Sequence, residues 1–110
     1  MNSTLGVLAE PNRYRIVDLL RGGPRPVGEI VEELGLQQPQ VSKHLRVLSD
    51  AGLVRVHPVA QRRIYELRPE PFTELASWVE SYRKALAARN DRFGVLLQSL
   101  QEKEKKDGHR

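Results

Sequence analysis

The stretch Gln38-Pro39-Gln40-Val41-Ser42-Lys43-His44-Leu45-Arg46 decides how this chain reads. On a helix turning about 100° per residue, Val41, Leu45 and Leu48 fall within about 60° of one another and must face a core. Lys43, Arg46 and Pro39 lie near the opposite side, with Gln40 and Ser42 on the flanks. The spacing predicts a helix over residues 38–51, ended by Gly52. Its outer face is rich in groups that donate hydrogen bonds or carry positive charge.

Upstream, residues 11–20 read as another helix. Pro11 suits a first turn, where its missing N–H costs nothing. Tyr14, Ile16, Val17, Leu19 and Leu20 give a broad apolar stripe, and Gly22-Gly23-Pro24 stops it. A short helix over 26–34 places Val27, Ile30, Val31 and Leu34 on one face, with Gly35 as its stop. A polar-faced helix three residues after another helix is the helix-turn-helix arrangement. Downstream, residues 53–57 and 63–67 show the β-branched alternation of strands, joined by a hairpin loop over 58–62. Two strands directly after a helix-turn-helix make a wing, with Arg62 and Arg63 at its tip. The expected fold is therefore mainly α with a small β-hairpin wing. Residues 1–68 form the winged domain, 69–101 a long helix, and 102–110, which lack any apolar side chain, a fraying charged tail.

Composition narrows the function. The 110 residues suffice for one domain and an appended helix, and 39% hydrophobic residues argue against a wholly disordered chain. No run approaches the ~18 apolar residues of a membrane span. The first ten residues lack a basic region and Glu10 cuts their apolar run, unlike a secretory signal; the expectation is a soluble, cytoplasmic protein. There is no cysteine, hence no disulfide, thiolate metal site or cysteine nucleophile. Phosphate-loop, Gly-x-Ser-x-Gly and His-Glu-x-x-His signatures are missing. Glu32 and Glu33 are adjacent, so they diverge on a helix and read as a solvated face. No enzyme, cofactor or metal is expected.

The net charge is +4, and residues 36–68 hold that whole surplus: six basic side chains against Asp50 and Glu66. An anion-binding footprint requires such localisation. Gln38, Gln40, Ser42 and Lys43 occupy the first turns, the end a recognition helix directs at base edges in the major groove. Arg46, a turn later, suits a phosphate, which fixes register without reading sequence. Arg62 and Arg63 suit phosphates or a narrow minor groove. His44 flanks the core stripe, and either local packing or a phosphate contact fits that position. The predicted partner is double-stranded DNA.

From Pro71 the chain turns helical for more than thirty residues. Phe72, Leu75, Val79, Tyr82, Leu86, Phe93, Leu97 and Leu100 keep close to three-and-four spacing, interrupted at Arg89 and Asn90. A seam that outlasts its own domain finds a second chain, so these residues form the expected homodimer interface. Two-fold pairing would set two recognition helices about 34–36 Å apart on an imperfect palindrome. Two other classes stay open at this point: a protein-interaction module built on the same fold, and a sensor of a small apolar ligand near Trp78 and Tyr82.

Four stretches resemble the ArsR-type (arsenic-repressor-like) winged-helix regulators over about residues 5–68. They are Leu8-Ala9-Glu10-Pro11-Asn12-Arg13-Tyr14-Arg15-Ile16, Val27-Gly28-Glu29-Ile30, Gln38 through Leu48, and Ala51-Gly52-Leu53-Val54. The resemblance implies a homodimeric DNA-binding repressor, usually acting on its own operon, with the wing in the adjacent minor groove. It also shows departures. Metal-sensing members carry cysteines before the turn or Asp/His/Glu ligands on the last helix. Residues 26–31 have no cysteine and residues 72–100 no histidine, which points to the family's non-metal autorepressors. Gln37 stands where the family commonly has a Ser cap, a loss of about 1 kcal/mol of helix stability. Gln61-Arg62 replaces the usual Gly-Arg of the wing turn.

Overall fold

The computed structural model describes residues Asn2–Asp107 and contains α1 (Asn2–Leu8), α2 (Pro11–Leu20), β1 (Arg25–Pro26), α3 (Val27–Leu34), α4 (Gln38–Asp50), β2 (Val54–Val59), β3 (Arg62–Leu67) and α5 (Glu70–Asp107). It divides into two compact units, residues 1–75 and 76–110. The first is a winged helix-turn-helix. None of the described helices is long and apolar enough to cross a membrane.

The stripes read from the sequence meet in one core. Ile16, Val17 and Leu20 of α2, Ile30 and Leu34 of α3, and Val41, Leu45 and Leu48 of α4 are all buried, together with Leu53 and Val54 at the start of the wing. Tyr65, Leu67 and Phe72 pack on its edge, half-buried. Phe72, expected at a dimer seam, thus also closes the core of its own winged unit.

Capping explains the corners. Glu10 is the N-cap of α2, and its carboxylate accepts the Arg13 N–H at 2.8 Å. The Arg13 side chain donates to Val7 O at 2.8 Å, placing a cation on the carbonyl end of α1. Arg15 does the same for α3, donating to Leu34 O at 3.2 Å. Gly35 then caps α3 at φ +68°, a left-handed conformation that L side chains rarely adopt, and its N–H bonds Val31 O. That reversal lets α4 start three residues later. The N-cap of α4, Gln37, makes no side-chain cap bond.

Several boundaries differ from the sequence expectations. α1 and β1 were not foreseen; β1 pairs with β3 through Arg25↔Tyr65 and Pro26↔Ile64, giving a sheet ordered β1-β3-β2. The wing strands are longer than expected and close the five-residue loop to a two-residue turn, Ala60-Gln61, between Val59 and Arg62. The helix α5 continues through the stretch from Glu102 that was expected to fray, as far as Asp107, because Glu and Lys there are good helix formers. The last three residues of that tail, 108–110, lie outside the described residues.

The wing turn carries strain. Of its two residues only Ala60 has positive φ, at 56°. A two-residue hairpin with positive φ at the first position favours glycine there. For an alanine the left-handed region costs about 1–2 kcal/mol, while glycine loses about 0.4–1 kcal/mol of unfolded-state entropy. Ala60→Gly should therefore stabilise the protein by about 0.5–1 kcal/mol in urea denaturation.

Candidate nucleic-acid interface

α4 turns its buried face to the core and leaves Gln38, Gln40, Ser42, Lys43 and Arg46 exposed. Gln38 and Ser42, one turn apart, line an open hollow of about 600 Å³. Its far wall is the wing, through Gln61, Arg62, Arg63 and Tyr65, and its floor is the start of α3. The structure thus brings the first turn of α4 and the wing tip to one concavity. Gln40, Lys43 and Arg46 do not line it; they stand further around and along α4. Arg62 begins β3 rather than ending the loop, opposite Val59, and Arg63 lies on the strand as expected, opposite Pro58. A strand holds their stems more firmly than a loop.

The pairing of charges separates structural cations from free ones. Among the described residues, Arg13 and Arg15 donate to helix-end carbonyls. Arg21, Arg25, Arg55, Arg68 and Arg83 sit within 4 Å of carboxylates. Lys43, Arg46, Arg62 and Arg63 have no such partner among the described residues. The wing's one acidic side chain, Glu66, is engaged by His57 at 2.6 Å and Arg55 at 3.6 Å. Neither acid of the basic window therefore neutralises the wing-tip arginines by direct contact. Within residues 36–68, four cations remain available to an anion.

His44 is placed differently from its neighbours. Its Nδ1 lies 3.7 Å from the Glu10 carboxylate, with the ring only 19% exposed. The ring packs locally and links α4 to the N-cap of α2. Sequence reading left this open because the two residues are far apart in the chain, and Glu10 gave no sign of turning toward α4. Two carboxylates were also missed as neighbours of the interface: Glu29 and Glu32 line the hollow. Glu29 is held by Arg25 at 3.6 Å. The helical spacing of Gly28, Glu29 and Glu32 was the available signal.

On the second unit, Val79, Tyr82, Leu86, Phe93, Leu97 and Leu100 are exposed, as are Trp78 and Leu96. Trp78 and Tyr82 contact edge to face with ring centroids 5.2 Å apart. Leu75, also expected in the seam, belongs to the first unit and is half-buried. Glu80 accepts two bonds from Arg83, at 2.9 and 3.0 Å, and raises its pKa further. Among the described residues no group of three or more His, Asp or Glu is arranged to hold a metal ion.

Residues 8–57 match the family described as a helix-turn-helix domain. The chain is 39% identical over 75 residues to the HTH-type transcriptional regulator Rv2034 of Mycobacterium tuberculosis, covering 68% of this chain and 70% of that one. It belongs to the ArsR family of transcriptional regulators. The chain is also 29% identical over 82 residues to the transcriptional repressor SdpR of Bacillus subtilis, covering 74% of this chain and 91% of that one. Among solved structures, the ArsR family transcriptional regulator RHA00566 superposes with a TM-score of 0.68 at 29% identity, covering 76% of this chain and 86% of that one. A homodimeric winged helix-turn-helix DNA-binding domain from Mycobacterium bovis, Mb0332, gives 0.62 at 28% identity, covering 76% and 77%. The ArsR-family fold expected from the four sequence stretches is the fold observed.

Proposed function

We propose that this ArsR-family regulator is a cytoplasmic homodimeric repressor that binds an imperfect palindrome, its own promoter included. Gln38, Gln40, Ser42 and Lys43 read base edges in the major groove, and Arg46 holds a phosphate. Arg62 and Arg63 grip the backbone or the adjacent minor groove. His44 acts behind this surface by steadying α4 against Glu10. The two copies join along α5 through the seam from Phe72 to Leu100, and bound protein occludes polymerase.

One observation carries the reading: every unpartnered cation of the 36–68 window lies on α4 or the wing tip, beside exposed Gln and Ser side chains. A merely solvated basic face would not concentrate them there. No cofactor takes part. Hydroxyl-radical footprinting on the gene's upstream duplex should show two protected half-sites about 34–36 Å apart, or a multiple of that spacing. A single protected patch would contradict the two-fold arrangement.

A further inference from the structure

We infer that Glu32 determines DNA specificity by repulsion, penalising every register that brings a phosphate into the hollow between α3, α4 and the wing. This rests on the DNA-reading surface proposed above. Glu32 and Glu33 are adjacent in sequence but end in different places. Glu32 lines the hollow with Gln38, Ser42, Arg62 and Arg63. Glu33 lies in a separate groove with Tyr14, Asp18 and Leu34. Both are exposed, and among the described residues neither has a cation within 4 Å or a hydrogen bond. Glu29, the other acid of the hollow, is held by Arg25 at 3.6 Å. Glu32 is therefore the unpaired anion of a surface that otherwise presents free cations and neutral hydrogen-bonding groups.

An ionised carboxylate only accepts hydrogen bonds, so it takes nothing from a phosphate and repels it. Each strand carries one phosphate per about 3.4 Å of duplex axis. A slide of one base pair thus passes a phosphate, and then the gap before the next, across any fixed point of the protein. Non-specific complexes, held by phosphates alone, slide through all such positions. Once Gln38 and Ser42 meet their base edges, the register is fixed and a gap can stand opposite Glu32. The carboxylate then weakens the wrong registers and spares the right one. Specificity is a difference between affinities, and a charge placed against the competitor widens it as well as a contact made to the target.

The size of the effect follows from Coulomb's law. At about 8 Å, near the screening length at physiological salt, a phosphate and a surface carboxylate repel by a factor of about 2–6 in affinity. A two-fold dimer carries two such carboxylates, and the factors multiply. Gln has nearly the helix propensity of Glu, so Glu32→Gln removes the charge and leaves α3 intact. Glu33→Gln changes the net charge by the same amount outside the hollow, and it serves as the control.

The test titrates the full chain, Glu32→Gln and Glu33→Gln by fluorescence anisotropy at about 150 mM salt, on the gene's upstream duplex and on a shuffled duplex. For Glu32→Gln the preference for the native duplex should fall at least about fivefold, through tighter binding of the shuffled one. Glu33→Gln should keep the parental preference. Equal tightening on both duplexes, an unchanged preference, or the same fall in Glu33→Gln overturns the inference. Weaker binding of the native duplex alone also overturns it, and makes Glu32 a reader of a base amino group instead. Equal binding of both duplexes by the parent chain overturns the DNA-reading surface itself, and this inference with it.

Discussion

A chain carrying Lys43→Ala and Arg46→Ala should bind its operator at least about 1000-fold more weakly than the parent. One base-reading and one phosphate contact at about 1–2 kcal/mol each, lost in both half-sites of the dimer, come to about 4–8 kcal/mol. Both side chains are exposed and no described residue pairs with either, so removing them breaks no internal bond. Thermal stability should stay within about 0.5 kcal/mol of the parent. The two losses also differ in kind. Lys43→Ala alone should relax preference among bases, whereas Arg46→Ala alone should lower the slope of log affinity against log salt by about two, one per half-site, and leave preference intact. Titrations at several salt concentrations separate them. Parental affinity in the double variant would remove α4 from the DNA contact.

The second large effect concerns the fold itself. Leu45 is fully buried at the middle of α4, among the side chains of α2 and α3. Leu45→Ala removes its contacts and leaves a cavity, at a cost of about 2–5 kcal/mol. A unit of about 75 residues has a total stability of only about 4–11 kcal/mol. Taking the middle of both ranges, urea denaturation should show a midpoint near half the parental value, with the slope unchanged. The contrast with Lys43 is instructive, because the two side chains lie two residues apart on the same helix. One holds the helix in place; the other uses it.

Much of this was legible in the sequence, for identifiable reasons. α2, α3 and α4 are each bracketed by proline or glycine and carry an apolar stripe at helical spacing, so local chemistry and tertiary burial point the same way. α1 has only seven residues and includes Gly6, and the Arg13 side chain of α2 ties down its last turn at Val7 O, a contact that periodicity does not announce. β1 is two residues, one of them a proline, and exists because β3 offers its free edge. The wing was expected, but its turn type was not, since nothing in Ala60 announces a positive φ.

The candidate site divides in the same way. Gln38, Gln40, Ser42, Lys43 and Arg46 were readable because exposure on α4 follows from the positions of Val41, Leu45 and Leu48. The hollow between α4 and the wing was not readable, because it depends on where β3 lies relative to α3. For the same reason the acidic rim of Glu29 and Glu32 went unseen. A metal-type sensing site at the family's familiar positions has no cysteine before the turn and no histidine over residues 72–100 to build it.

Sequence-specific DNA binding is read out directly by fluorescence anisotropy. The labelled probe is the gene's own upstream duplex at about 150 mM salt, competed with a shuffled duplex of equal length. Non-specific binding lies near 10⁻⁴–10⁻⁶ M under such conditions. The account predicts a preference of about 10³ or more for the native sequence. Equal competition by the two duplexes would contradict it, leaving a basic surface that holds DNA without reading it.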